Sequence, residues 1–109
     1  MAKLEKEIDK IRHLAGTKIL YTHHATAQMN LDERLISTKE VREVIEKGKI
    51  IECRPDDSRG PTFLFSGETS KNRTLHVVCS PKDEFLAIIT AYVPDPAEWS
   101  ADFSKRKKS

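Results

Sequence analysis

A chain of 109 residues, 38% of them hydrophobic, is long enough to close one core without disulfide or metal staples, and it is expected to form a single domain. Its 19 basic and 17 acidic side chains leave a formal charge of +2, and the sign reverses once Lys105, Arg106, Lys107 and Lys108 are set aside, so bulk charge does not declare a nucleic-acid binder. Two cysteines in apolar contexts, no signal-like start and no apolar run near the ~20 residues of a membrane helix predict a cytoplasmic protein with reduced thiols and no membrane contact.

Leu4, Ile8, Ile11 and Leu14 fall on one stripe of residues 3–15, and Ala15-Gly16 offers a stop, so the chain opens on an amphipathic packing helix. His13 reads as a solvated residue. Lys18 to Tyr21 is a short link, after which Thr22 can cap a second helix beginning at His23. Helical spacing sets His24 and Gln28 one turn apart on one face. Residues 30–35 lead to a third helix whose start is explicit: Ser37-Thr38-Lys39-Glu40 is a capping box, with Ile36 and Val41 as the hydrophobic staple. Val41, Val44 and Ile45 make its buried stripe. Gly48 is the expected left-handed stop.

From residue 49 the period changes from helix to strand. Lys49 to Arg54 is a first strand, Pro55 to Pro61 a polar loop, Thr62 to Ser66 a second strand, and Gly67 to Arg73 a loop carrying Lys71 and Arg73. A hairpin follows, Thr74 to Cys79 and Phe85 to Tyr92, joined by the turn Ser80 to Glu84. If those five residues are the loop, Cys79 pairs with Phe85 and His76 lies opposite Ile88. Leu75, Val77, Cys79, Phe85, Ala87, Ile89 and Ala91 then form an apolar face for the helices. Thr74, His76, Val78, Leu86, Ile88, Thr90 and Tyr92 form the other, which is expected to show an imidazole beside hydroxyls to solvent. After it, Asp95 caps a turn with Pro96 in first position, Trp99 and Phe103 fold back on the sheet edge, and the basic run 105–109 is a disordered tail. The expected fold is α+β: N-terminal helices on one face of a four-stranded antiparallel sheet, in a domain spanning residues 1–104.

Metal and thiol chemistry are disfavoured by geometry. His76 and Cys79 point to opposite faces of a strand, His23 and His24 diverge on a helix, and Cys79 lies on the apolar face, where a thiol is inert. No metal or other cofactor is expected, and no glycine-rich phosphate loop is present.

The pattern His24-Ala25, Met29, Arg34, Ile36-Ser37, Val41, Gly48, Leu75-His76-Val77-Val78 and Ile89-Thr90-Ala91-Tyr92, with Pro94-Asp95 and Trp99, resembles the bacterial family called domain of unknown function 4258 over about residues 20–99. Gln28 stands where that family leads one to expect an arginine. The resemblance implies the toxin side of a toxin–antitoxin pair and a fold similar to the RelE and barnase superfamily of metal-independent ribonucleases. It thus implies an mRNA interferase-like hydrolase with RNA as substrate and a cognate antitoxin as partner. A homodimer is a further expectation.

Metal-free RNA cleavage needs a base for the 2′-hydroxyl, an acid for the 5′-oxygen and a cation for the phosphate. His76 and His24 suit the proton-transfer roles, Arg73 the cation, and Thr90 and Tyr92 the placing of phosphate or base. Arg34, Gln28 and Lys71 are candidate substrate contacts. Each has a structural reading beside the functional one: a mid-strand histidine often packs with one hydrogen bond, threonine and tyrosine are ordinary strand residues, and arginines are commonly solvated. The alternative function is a non-catalytic module that binds protein or RNA on the same polar face.

Overall fold

The computed structural model describes residues 2–31 and 34–107; Asp32 and Glu33 of the expected connection and Lys108 and Ser109 of the expected tail lie outside them. The order is α1 (Ala2–Ala15), β1 (Ile19–Tyr21), α2 (His23–Met29), α3 (Thr38–Lys47), β2 (Lys49–Arg54), β3 (Thr62–Glu68), β4 (Thr74–Pro81) and β5 (Leu86–Tyr92). The fold is α+β, with three helices and a five-stranded mixed sheet in the order β1-β5-β4-β3-β2.

The sheet corrects the expected four antiparallel strands. The link Ile19–Tyr21 is an edge strand, parallel to β5 through Ile19↔Leu86 and Tyr21↔Ile88. Three residues carry little periodic signal, and a parallel pairing across more than sixty positions carries no local one.

One core joins the layers. Ile11, Leu14 and Ala15 of α1, Ala25 and Met29 of α2, and Val41, Val44 and Ile45 of α3 meet Phe63, Phe65, Leu75, Val77, Cys79, Leu86, Ile88 and Ala91 of the sheet. Burial raises the Cys79 thiol to about 12, which keeps it protonated and unreactive. Arg12 stitches the helices together by donating to the carbonyls of Ile45 and Gly48, each at 3.0 Å, near the open end of α3.

The capping box forms as its sequence predicts: the Glu40 amide donates to Ser37 Oγ at 3.1 Å, and the Ser37 amide donates to Glu40 Oε1 at 3.3 Å. The stop at Gly48 is extended rather than left-handed, with φ −79° and ψ −172°. Glycine is required there for a different reason. A Cβ on Gly48 would stand 2.5 Å from the Val44 carbonyl oxygen and 2.6 Å from that of Ser66, so only glycine lets α3 turn tightly into the sheet.

The hairpin register also differs from the expected one. His76 faces Tyr92, Val78 faces Thr90, Cys79 faces Ile88 and Pro81 faces Leu86, with an irregularity between Val78 and Cys79 that leaves Ile89 as the extra residue of a bulge. Leu86 and Ile88 therefore enter the core, while Thr90 and Tyr92 stay with His76 on the face away from it. A second irregularity, between Ile50 and Glu52 of β2, leaves Ile51 unpaired. Ile50 packs on the core, and Glu52 is turned to the opposite face.

Candidate functional site: a basic groove on the open sheet face

Those two bulges build the site. Glu52 pairs with Leu64, Leu64 with Val78 and Val78 with Thr90, so one row crosses four strands with a carboxylate at one end and a hydroxyl at the other. Two residues along each strand, Ser66, His76 and Tyr92 form the next row; on the other side Arg54 pairs with Thr62. A groove of about 160 Å³ lies over these rows, lined by His24, Glu52, Arg54, Arg59, Thr62, Leu64, Val78, Ile89, Thr90, Tyr92 and Arg106.

His24 reaches the groove through the cap of α2. The Thr22 hydroxyl accepts from the Ala25 amide at 3.0 Å and donates to the Ile89 carbonyl at 3.0 Å. The helix start is thereby pinned to the bulge residue itself, and the exposed residue His24 lines the same groove as Thr90.

Three arginines rim the groove, and their side chains stay half open to solvent. Arg106 donates to both oxygens of Glu52, at 2.8 and 3.2 Å, and Arg54 stands 3.9 Å from the same carboxylate. Arg59 forks onto Asp57 at 2.8 and 2.9 Å and holds that carboxyl well below its usual range. Exposed pairs of this kind are individually weak, so a phosphate can compete for these guanidiniums.

His76 corrects an expectation. It is fully buried, not open to solvent. The segment after β5 covers it: Asp95 caps the turn as expected, its carboxylate accepting from the Ala97 amide at 2.8 Å, and buried Trp99 packs edge-on to the imidazole with ring centroids 4.4 Å apart. The presumed disordered tail continues this cover as far as Lys107. Trp99 bridges Arg106, the Ser100 amide donates to the Lys105 carbonyl, and the Lys107 amide donates to the Glu98 carbonyl. Arg106 also lies over the Trp99 ring, 4.6 Å from its centroid. Both ring nitrogens of His76 are engaged, Nδ1 with the Tyr92 hydroxyl at 3.2 Å and Nε2 with the Phe103 carbonyl at 2.8 Å. Burial pushes the His76 pKa down, opposed by the Phe103 carbonyl, and pushes that of Tyr92 up.

The remaining candidates gather elsewhere. Arg73 donates to both oxygens of buried Glu40 at 2.8 Å and to the Arg34 carbonyl at 2.8 Å, so it ties the β3–β4 loop to α3 rather than facing His76. Lys71 stands 3.6 Å from Glu40, and the Thr69 hydroxyl donates to it at 2.9 Å. Arg34 donates to Gln28 at 2.8 Å. The Arg73 hydrogen bonds, outweighing burial, lower the Glu40 pKa to about 2. Of the eight sequence candidates, His24, Thr90 and Tyr92 thus line the groove, His76 backs Tyr92, and Arg73, Arg34, Gln28 and Lys71 lie outside it.

Glu52, Arg54, Arg59 and Arg106 also line the groove and are not among the sequence candidates. The alternation Glu52-x-Arg54 was a signal for two of them, because it sets both on one strand face. Arg59 sat in a loop and Arg106 in a supposed tail, where no periodicity marks a position.

Among the described residues, no group of three or more His, Cys, Asp or Glu side chains is placed to hold a metal ion, and no helix is long and apolar enough to cross a membrane. Comparison with curated proteins and with solved structures finds no match. A family profile does match, over residues 21–93, which run from the end of β1 to just past β5 and include His24, Glu52, Arg54, Arg59, Thr90 and Tyr92. The chain belongs to the family described as Domain of unknown function (DUF4258).

Proposed function

We propose that the chain is a metal-independent endoribonuclease whose groove binds the RNA backbone and cleaves it by attack of a 2′-hydroxyl on the neighbouring phosphate. One observation carries this reading: an exposed imidazole, a phenol, two threonines and three arginines line a single groove, with one carboxylate, Glu52, among them. Arg54, Arg59 and Arg106 supply the charge and fork geometry that a phosphodiester needs, and Arg106 stacked on Trp99 offers a platform for a base. His24, accessible at the rim, is the proton donor to the leaving 5′-oxygen, and Tyr92 stands at the attacking side. In this reading the resemblance to RelE and barnase-type ribonucleases is one of mechanism class, and an antitoxin partner would act by covering the groove.

A second reading has its own support. With His76 fully buried, the same groove can bind RNA without cutting it. Cleavage of mixed RNA in EDTA separates the two. The nuclease reading expects products with 2′,3′-cyclic phosphate ends from wild type, and at least a tenfold slower reaction from His24→Ala with RNA affinity little changed. Intact RNA bound by both proteins would establish the binding module instead.

A further inference from the structure

The imidazole of His76 is fully buried, and its hydrogen bonds fix its tautomer. The Phe103 carbonyl can only accept, so Nε2 carries the proton. In the neutral ring Nδ1 is then an acceptor, and its partner at 3.2 Å, the Tyr92 hydroxyl, must donate to it. The phenolic proton is thus turned away from the groove that Tyr92 lines.

Two features mark this arrangement as built rather than incidental. Phe103 sits at φ +61°, in the left-handed region that non-glycine residues avoid, and it is this residue whose carbonyl receives His76. Trp99 and Tyr92 both meet the imidazole edge-on, with centroids 4.4 and 5.3 Å away, so the ring is clamped as well as bonded.

We propose that His76 is a positioning residue for Tyr92: locked by the Phe103 carbonyl, it draws the phenolic proton onto Nδ1 and leaves the phenol oxygen's remaining lone pair free to accept the proton of a ribose 2′-hydroxyl. This rests on the nuclease reading above. As the 2′-oxygen forms its bond to phosphorus, its proton passes to the Tyr92 oxygen and the Tyr92 proton passes to Nδ1. The bond from phosphorus to the 5′-oxygen breaks with its electron pair on that oxygen, which takes a proton from protonated His24. His76 becomes an imidazolium that keeps Nε2–H on Phe103 and donates Nδ1–H to Tyr92. Once the product leaves, His76 gives that proton back through the phenol to water and His24 recovers one from water, which restores both groups for the next turnover.

The test has one arm that needs no activity. Long-range ¹H–¹⁵N correlation spectra of the intact protein should show His76 as the Nε2–H tautomer, and the Tyr92 Cζ resonance should shift in His76→Phe but much less in His76→Asn, which retains an acceptor for the phenol. An Nδ1–H tautomer, or a Tyr92 resonance indifferent to both variants, would overturn the proposal. The second arm is kinetic. His76→Phe should lower kcat roughly tenfold or more with the RNA Kd changed less than about twofold, His76→Asn should recover part of that loss, and His76→Phe should cost nothing further in a Tyr92→Phe background. Additive losses in the double variant would also overturn it. Absence of cleavage by wild type would remove the nuclease reading itself, while the tautomer and the Tyr92 shift would still decide whether His76 holds the phenol.

Discussion

The Glu40–Arg73 pair and the Glu52–Arg106 pair have the same chemistry and nearly the same hydrogen-bond length, 2.8 Å in each case. Their surroundings differ. Glu40 is 1% exposed, receives a capping amide, a threonine hydroxyl and a forked guanidinium, and has no capacity left for a ligand. Arg106, by contrast, has a side chain 54% exposed beside an open groove. Burial turns the first pair into a fastener between loop and helix, and exposure leaves the second free to exchange its carboxylate for a phosphate.

The sharpest way to break this comparison is to remove one member of the buried pair. Arg73→Ala takes both guanidinium hydrogen bonds from a buried carboxylate, leaves it only the exposed Lys71 as a charge partner, and should cost about 3 kcal/mol, read as a fall in the urea midpoint. Arg106→Ala, with solvent to replace it, should cost no more than about 1 kcal/mol. Equal losses would erase the distinction.

Acid gives the next effect. Glu40 has a folded pKa near 2 against an ordinary value of 4.5, so its ionised form favours the fold. That stability is fully present above about pH 4.5 and is lost as pH falls toward 2; it should amount to about 3 kcal/mol. Glu40→Gln should remove this dependence from the pH profile of the unfolding free energy. Buried His76 adds a dependence in the same direction. Its folded pKa lies below 6.5, so its contribution is present above that pH and declines as the solution is acidified through it.

Smaller still is the cap that places His24. Thr22→Val removes both the α2 cap and the bond to the Ile89 carbonyl, and should cost about 1–2 kcal/mol. Because it also frees the helix start from the bulge, it should depress any activity of the groove more than its stability cost alone would. Unchanged activity would mean that the pinning does not matter.

The contrast between the two pairs also explains what the sequence revealed. The capping box of Ser37 and Glu40, the core stripe of α3 and the apolar face of β4 follow from local rules, and all three are present. The faces of β5 and β2 did not follow, because each strand carries a bulge that reverses the alternation partway along. Both bulges fall at a doubled isoleucine, Ile50-Ile51 and Ile88-Ile89, where two neighbouring apolar residues break a two-residue period. That doubling is the one trace they leave in the sequence. The eight candidate residues divided for a related reason. Tyr92, Thr90 and His24 depend on the strand face and the helix cap, which are local, whereas the partner chosen by Arg73 depends on a carboxylate 33 positions away. Arg106 joins the groove through Glu52 and through Trp99, which packs on buried His76; these are contacts between distant segments that no window of sequence contains.

The central claim is that the open arginines, not the one locked onto buried Glu40, meet the ligand. It is tested most directly by measuring RNA affinity against salt for wild type and for Arg54→Ala/Arg59→Ala, alongside thermal unfolding of both. We predict a shallower salt dependence in the double variant, by about one counterion per arginine removed, with stability changed by no more than about 1 kcal/mol. An identical slope in the two proteins would contradict the account, because RNA would then be held somewhere other than this groove.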